Sequence, residues 1–186
     1  MIKLMDIDSS GEVPYPEVHN PMLDRLMGVR KIGGVSLMGQ FPEITLILND
    51  GPEAPTGLVD YFQSGLLNVV SNKLKKVFES VNAELEYFPV HVIYKDTQST
   101  IDYFVANPLV RLNAIDKEKS DIDFNEDVLV ATDVRHLVLN ETLLIGKKLA
   151  VIGEIQMIAV QNVVAELVEQ SGCIGCKFID PSKYVL

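Results

Sequence analysis

Two stretches of the sequence, 90 residues apart, share one hydrophobic pattern, and this repeat constrains the fold more than any other feature of the chain. Residues 66–88, LLNVVSNKLKKVFESVNAELEYF, align without a gap with residues 156–178, QMIAVQNVVAELVEQSGCIGCKF. In each copy a short apolar strand leads into a helix whose apolar residues follow the spacing of one buried stripe. Ser71 is placed to cap the first helix, and Phe88 and Phe178 align in the strands that follow the helices. The repeat predicts an α+β fold with two similar strand–helix–strand units, whose helices pack on a mixed or antiparallel sheet.

The chain of 186 residues is short enough to form one domain, and we expect a single compact chain. Residues 1–56 are rich in turn-forming residues and form an N-terminal part, whereas residues 57–186 carry the repeat. Between the two copies, residues 86–96 and 100–108 are rich in aromatic and β-branched side chains and flank a polar segment. This arrangement predicts a β-hairpin between the units.

Charge and hydropathy argue against several classes of protein. The formal net charge of -10 argues against binding to nucleic acid or to an anionic membrane, because both need clustered lysine and arginine. A protein partner of so acidic a chain would be basic. The longest apolar stretch, residues 149–160, is too short to span a bilayer, and Asp6 and Asp8 interrupt the region where a signal peptide would be apolar. We therefore expect a cytoplasmic protein.

The only two cysteines, Cys173 and Cys176, form a C-x-x-C motif near the end of the chain. In thioredoxin-like sites this motif opens a helix, whose positive end lowers the thiol pKa. Here it follows a predicted helix with Glu166 and Glu169 in its last turns, which should raise the pKa of Cys173. A zinc site needs about four ligands, and the nearest histidine, His136, is far upstream. We expect buried, inert cysteines in a structural turn.

Residues 6–17, DIDSSGEVPYPE, match the ligand spacing of a calcium-binding EF-hand loop. The five residues before this segment in the sequence are too few for an entering helix, and Pro14 and Pro16 occupy the positions where the exiting helix would begin. A strand followed by a tight turn explains the segment better. No metal or other cofactor is predicted.

Residues 116–127, DKEKSDIDFNED, contain six acidic residues against two lysines. One interpretation is a solvated loop whose first part is a turn held by side-chain-to-backbone bonds. The other is an acidic surface that steers a basic partner towards the protein. We favour the turn for Asp116, Glu118, Lys119 and Ser120, and a partner-binding surface for Asp121, Asp123, Glu126 and Asp127.

No catalytic constellation is visible in the sequence. The G-x-S-x-G, P-loop and H-E-x-x-H motifs are absent, and His19, His91 and His136 are scattered. The polar face of the first predicted helix carries Lys73, Lys75 and Lys76. Exposure of this face to solvent is enough to explain the three lysines.

Several short motifs nevertheless occur in a recognisable order. A strand-to-helix segment at 70–79 contains Ser71, an F-P-V strand contains Pro89, a D-K-E-K-S segment spans 116–120, and a G-C-K-F segment runs from Gly175 to Phe178. Over residues 58–182 this order resembles a family of immunity proteins from bacterial polymorphic-toxin systems. Two features depart from the family pattern: KKLAVIGE lacks an aromatic–basic pair, and the residues before Gly175 are not usually cysteines. The N-terminal fifty residues have no clear counterpart in the resemblance.

The resemblance implies a protein without catalytic activity that binds a cognate toxin in the cytoplasm and blocks it. It also implies that the shared motif residues are structural: Ser71, Pro89, Asp116, Glu118, Lys119, Ser120, Gly175 and Phe178. Two alternatives stay open. One is an enzyme or small-ligand-binding domain whose site residues are distant in sequence, and the other is an adaptor that self-associates.

Overall fold

The computed structural model describes residues 1–8, 15–17, 33–49, 58–94, 97–99, 101–125, 127 and 130–186. These residues contain two α-helices, α1 (Asn72–Ser80) and α2 (Asn162–Gln170). The strands are β1 (Ile2–Ile7), β2 (Tyr15–Glu17), β3 (Thr45–Asn49), β4 (Tyr61–Ser64), β5 (Leu67–Ser71), β6 (Leu85–Tyr94), β7 (Thr97–Gln98), β8 (Tyr103–Pro108), β9 (Arg111–Leu112), β10 (Asp121–Asn125), β11 (Val130–His136), β12 (Leu149–Ile152), β13 (Met157–Gln161) and β14 (Cys176–Ile179). Two short 3-10 helices span Glu141–Leu144 and Pro181–Lys183.

The strands form two large sheets and a separate two-stranded ribbon. The seven-stranded sheet has the order β2-β3-β6-β8-β5-β4, with β7 paired to β6, and the five-stranded sheet has the order β14-β1-β13-β12-β9. Strands β10 and β11 form the ribbon. Two pairs, β3 with β6 and β9 with β12, are parallel, and the other pairs are antiparallel. The predicted α+β fold with mixed sheets and packed helices is confirmed.

The repeat corresponds to two structurally similar units. Strands β5 and β13 begin and end 90 residues apart, and so do helices α1 and α2. In each unit a hairpin precedes the helix, because β4 pairs with β5 and β12 pairs with β13. After each helix the chain turns through a residue with positive φ, Asn82 at 53° and Gly172 at 65°. Such a left-handed residue is the usual end of a helix.

The N-terminal strand β1 completes the second unit. In the first unit the strand order is β4-β5-β8-β6, and in the second it is β12-β13-β1-β14. The position that β8 fills in the first unit is therefore filled by β1, which comes from the opposite end of the chain. Leu4 and Met5 of β1 are wholly buried between β13 and β14.

The two helices and the inner faces of both units share one hydrophobic cluster. Helix α1 contributes Leu74 and Phe78, and α2 contributes Val164, Ala165 and Val168. A helix of nine residues is too short to be stable alone in water, so this packing holds both helices in place. Each buried leucine, phenylalanine or valine of this set contributes about 1.5–3 kcal/mol of hydrophobic stabilisation. In each unit, the face of the sheet that points away from the helices packs in a cluster of its own.

The predicted equivalence of Phe88 and Phe178 is wrong by one residue. Phe178 lies opposite Met5 and packs, half-buried, in the cluster around the helices. Phe88 lies opposite Val105 and faces away from the helices, where its ring stacks on Phe41 at 4.4 Å between centroids. The position equivalent to Phe178 is Tyr87. The connection after α2, residues 171–175, is one residue longer than the connection after α1, residues 81–84, and a one-residue shift exchanges the two faces of a strand.

Candidate functional site

The predicted partner-binding aspartates Asp121 and Asp123 lie on β10, the outer strand of the ribbon. The interpretation of this segment as a solvated loop is wrong for residues 121–125. These residues, DIDFN, form a regular strand in which exposed residues alternate with half-buried ones. Ile122 and Phe124 pack against the cluster beneath the second unit, and the two carboxylates point to solvent. The alternation of polar and apolar residues was a sequence signal for a strand.

The two aspartates are joined by Arg135, which lies on the neighbouring strand β11. Its Nη2 donates to Asp121 Oδ1 at 2.6 Å, and its Nη1 donates to Asp123 Oδ2 at 3.0 Å and also to Asp133. Hydrogen bonds from Arg135 lower the pKa of Asp121 and Asp123. We call these four residues, Arg135 with Asp121, Asp123 and Asp133, the Arg135 cluster. It holds three carboxylates and one guanidinium, so it presents a net negative charge to solvent.

Sequence reasoning missed Arg135 and Asp133. Asp133 lies opposite Asp123 in the ribbon, but these positions are ten residues apart in the sequence. The register also shifts twice along the ribbon, and sequence alternation cannot give such shifts.

The other two residues of the predicted surface are less fully described. Asp127 follows β10 in a turn, where its N–H donates to Asn125 Oδ1 at 3.1 Å. Glu126 lies outside the described residues. The described structure therefore brings together Asp121 and Asp123, with Asp127 in the turn that follows them.

The D-K-E-K-S segment forms a tight turn that leads into β10. Ser120 Oγ accepts a hydrogen bond from Val138 N at 2.9 Å and donates to Val138 O at 3.2 Å. Lys119 Nζ donates to Asp116 Oδ2 at 2.7 Å, which lowers the pKa of Asp116 and raises that of Lys119. Glu118 is exposed within the turn. These bonds determine where the ribbon begins, and they place the acidic strand on the surface.

Ser71 and Ile174, from different repeats, both donate hydrogen bonds to the buried carboxylate of Asp60, and Gly175 follows Ile174 in the same turn. Ser71 Oγ accepts from Leu74 N at 3.2 Å as the predicted cap of α1, and it donates to Asp60 Oδ1 at 2.5 Å. The other carboxylate oxygen, Asp60 Oδ2, accepts from Ile174 N at 3.0 Å. We call Asp60, Ser71, Ile174 and Gly175 the inter-unit clasp.

Gly175 allows the turn after α2 to approach the first unit closely. Its φ is +91°, and a Cβ at this position would collide with the carbonyl oxygen of Tyr61 and lie 2.8 Å from Val59 Cβ. Any other residue would therefore be strained and would also push the two units apart. The G-x-x-F motif thus coincides with a close contact between the two units.

Comparison with known protein families shows to which family the chain belongs. Residues 6–182 match the model of the Immunity protein family (Imm11). The chain belongs to the Imm11 immunity protein family. The match reaches back to residue 6, so it includes most of the N-terminal region for which the sequence resemblance showed no counterpart. No match was found among the curated proteins.

The cysteines of this Imm11 family member lie in the turn that contacts the first unit. Both are free and half-buried rather than fully buried. Burial raises the pKa of the Cys173 thiol and raises that of Cys176 to about 12. The direction predicted for Cys173 is confirmed, but burial contributes more than the nearby charges. Protonated thiols are poor nucleophiles and poor metal ligands.

Pro89 of the F-P-V motif occupies a special position in the seven-stranded sheet. It lies within β6, which is paired on both sides, and a proline cannot donate a hydrogen bond there. The ladder between β3 and β6 begins two residues later, at the pair Thr45 and His91, and His91 N donates to Ile44 O. Pro89 therefore lies before the start of β3, where no backbone carbonyl of β3 needs its missing N–H.

The calcium interpretation of residues 6–17 rests on residues that are largely outside the described part of the chain. Asp6 is described and lies in β1, where its carboxylate accepts from Ile7 N at 2.8 Å and pairs with Lys177 Nζ at 3.4 Å. Across the described ranges, no group of three or more histidine, cysteine or acidic residues is arranged to hold a metal ion. No described helix has the length and apolar composition that a membrane span needs.

Two surface pockets are lined by described residues. The larger, about 360 Å³, lies where β1 meets the start of α2, between Glu141, Ile145 and Val163. The smaller, about 260 Å³, lies between the hairpins of the two units, next to Asn68, Gln156 and Tyr184. Neither lining includes a histidine or a cysteine.

Proposed function

We propose that the protein binds a cognate bacterial toxin in the cytoplasm of the producing cell and neutralises it by occupying it, without catalysing a reaction. The family match over residues 6–182 carries this proposal, because the matched region is nearly the whole chain. In this view the same fold supplies both the stable scaffold and the surface that contacts the toxin.

The charge of the protein suggests the chemistry of its partner. The chain has a formal net charge of -10, and the Arg135 cluster concentrates exposed carboxylates on one ribbon. A field of this sign attracts a basic protein and raises the rate of encounter. We therefore propose a basic toxin that approaches the side of the molecule on which Asp121, Asp123 and Asp127 lie. Glu126, which is outside the described residues, remains part of the predicted acidic surface.

Rescue of growth tests the proposal directly. We expect a toxin gene directly adjacent to the gene of this protein. Cells that produce the toxic domain of that adjoining gene should stop growing, and co-production of this protein in the cytoplasm should restore growth. Failure to restore growth, together with no complex between the purified proteins, would contradict the proposal.

The stoichiometry of neutralisation separates binding from catalysis. A protein that acts by occupation protects fully only when it is at least equimolar with the toxin. An enzyme that modifies the toxin would protect at a small fraction of that amount. Titration of the purified protein against a fixed amount of toxin, read as remaining toxin activity, distinguishes the two.

A further inference from the structure

We propose that the toxin docks by adding an extended strand to the open edge of β10, and that this strand alternates basic and apolar residues. The inference rests on the proposed function, because it names the surface and the partner chemistry through which neutralisation would occur. Addition of a strand to a sheet edge is a common mode of peptide recognition.

Among the described strands, one side of the ribbon is attached to the body of the protein, and the other side, the edge of β10, has no paired strand. Beyond β11, Ala131 N donates to Glu154 O at 2.8 Å, and Leu186 N donates to Val134 O at 3.2 Å. These bonds attach β11 to the body of the protein. In contrast, β10 pairs only with β11 among the described strands.

The backbone groups at the open edge can be assigned from one side-chain contact. The carbonyl oxygen of Asp123 accepts a hydrogen bond from Thr132 Oγ1 of β11 at 3.2 Å, so Asp123 directs its backbone towards β11. Successive residues of a strand direct their N–H and C=O groups to alternate sides. Ile122 and Phe124 therefore direct theirs towards the open edge, where an added strand can bond to them.

The side chains of β10 determine which strand fits. On the solvent face, residues of the added strand would lie beside Asp121 and Asp123, where lysine or arginine makes a favourable cross-strand pair. On the inner face they would lie beside Ile122 and Phe124, which are half-buried on the protein core. The favoured strand is therefore basic at every second residue and apolar at the residues between.

The same charges disfavour a second copy of this chain as the occupant. Two β10 edges pairing with each other would bring aspartates together, and like charges on neighbouring strands repel. Charged residues on an edge strand are a known protection against self-pairing. Two copies of the Arg135 cluster would hold six carboxylates and two arginines, so the seam between them would keep a net negative charge. A basic strand removes this repulsion.

Hydrogen exchange of the backbone amides tests the edge in the full chain. In the free protein, the Ile122 and Phe124 amides should exchange rapidly, whereas the Asp123 amide, which faces β11, should exchange slowly. In a complex with the toxic domain encoded by the adjoining gene, the Ile122 and Phe124 amides should become protected. Protection of these two amides in the free protein at high concentration would show pairing with a second copy and would overturn the proposal.

A charge-reversal variant and a matched control test the partner chemistry. The variant D121K/D123K should weaken the complex by about tenfold or more, because each cross-strand pair becomes repulsive. The control E166K/E169K changes the net charge by the same amount on the exposed face of α2 and should weaken it by less than about threefold. Thermal unfolding of both variants establishes that each is folded.

The outcomes separate this inference from the proposed function. A complex that forms with the wild-type protein, leaves the Ile122 and Phe124 amides unprotected and responds equally to both double variants overturns edge docking and leaves toxin binding standing. Absence of both a complex and neutralisation by the wild-type protein overturns the proposed function, and edge docking with it.

Discussion

The carboxylate of Asp60 accepts a hydrogen bond from the backbone N–H of Ile174, 114 residues further along the chain, at 3.0 Å. In return, Asp60 N donates to Ile174 O at 2.8 Å. These two bonds connect the start of the first unit to the turn that contains the C-x-x-C motif. The motif is therefore part of a contact between the two halves of the molecule, and its cysteines border that contact.

The inter-unit clasp predicts a large effect of Asp60→Ala. The substitution leaves the Ser71 hydroxyl and the Ile174 N–H without their acceptor in a buried site, at a cost of about 3 kcal/mol in the free energy of unfolding. Urea denaturation measures this cost. Lys73→Met is the control, because it removes the partly exposed ion pair to Asp60 and an exposed hydrogen bond to Gly172 O, and it should cost less than about 1 kcal/mol. Equal effects of the two substitutions would contradict the clasp.

Gly175 and Gly146 form a matched pair for testing the close contact between the units. Both have positive φ, +91° and +77°, but a Cβ at Gly146 meets nothing within 4 Å. Gly146→Ala should cost about 1 kcal/mol, from backbone strain alone. Gly175→Ala adds a collision with Tyr61 and Val59 and should cost about 3 kcal/mol or more. Chemical denaturation of the two variants gives the difference, and a difference near zero would count against a tight contact.

Two methionines test whether β1 is an integral part of the second unit. Met5 is fully buried between β13 and β14, whereas Met38 is 68% exposed. Met5→Ala should lower the free energy of unfolding by about 3 kcal/mol, since it leaves a cavity in the shared cluster. Met38→Ala should change it by less than about 0.5 kcal/mol. A tolerated Met5→Ala would show that the second unit does not depend on the N-terminal strand.

The raised pKa of Cys176 predicts how the free energy of unfolding changes with pH in the alkaline range. The pKa of Cys176 rises to about 12 in the folded protein, from the ordinary thiol value of 9.0. Its contribution to stability is therefore complete below the ordinary value and is lost as pH rises towards the folded value, with a slope of up to about 1.4 kcal/mol per pH unit. Denaturation at a series of alkaline pH values should show this decline, and Cys176→Ser should make it shallower. The part of the decline that comes from tyrosines whose pKa burial also raises, such as Tyr61 and Tyr103, should remain. An unchanged profile in Cys176→Ser would contradict the assignment.

The same cysteines should be dispensable for toxin neutralisation. Cys173→Ser combined with Cys176→Ser removes both thiols, so any redox or metal chemistry of the motif is lost. We expect full neutralisation in the growth assay, with some loss of stability because both thiols are half-buried. Loss of neutralisation in a double variant that is folded by circular dichroism would revive a chemical role for the motif.

The acidic surface predicts the rate of toxin association. Replacement of Asp121 and Asp123 by asparagine, together with Glu126→Gln and Asp127→Asn, should slow association by about tenfold at low salt, with a smaller deficit at high salt. Arg135→Gln should have the opposite effect, because it leaves the carboxylates of the Arg135 cluster uncompensated. Stopped-flow measurement over a range of ionic strength tests the predicted decrease of the association rate in the first variant and its increase in Arg135→Gln. An unchanged rate in both variants would show that this surface has no part in association.

The pH dependence of the same rate follows from the Arg135 cluster. Hydrogen bonds from Arg135 lower the pKa of Asp121 and Asp123, so both stay charged below the pH at which an ordinary aspartate becomes neutral. The salt-dependent part of the association rate should therefore persist through the ordinary aspartate range near pH 4. In Arg135→Gln it should decline at a higher pH.

The amino-acid sequence alone determined the strands and helices of the repeat and the protein family that the chain resembles. The boundaries of β5, α1, β13 and α2 follow from hydrophobic periodicity and, for α1, from the cap at Ser71, all of which act between residues close in sequence. The ordered motifs resembled an immunity protein family for the same reason, since they mark these elements. The alternation in DIDFN was equally local, and the acidic composition of the segment obscured it.

Only the tertiary structure decided which elements meet. Strand β1 could pair with any exposed edge, and its place between β13 and β14 follows from burying Leu4 and Met5 on two faces at once. The contacts of Arg135 with Asp121, and of Asp60 with Ile174, arise from strand register and from the length of a turn. Such contacts depend on which faces of the sheets are buried together, and a local sequence pattern does not indicate which distant segment a strand will pair with.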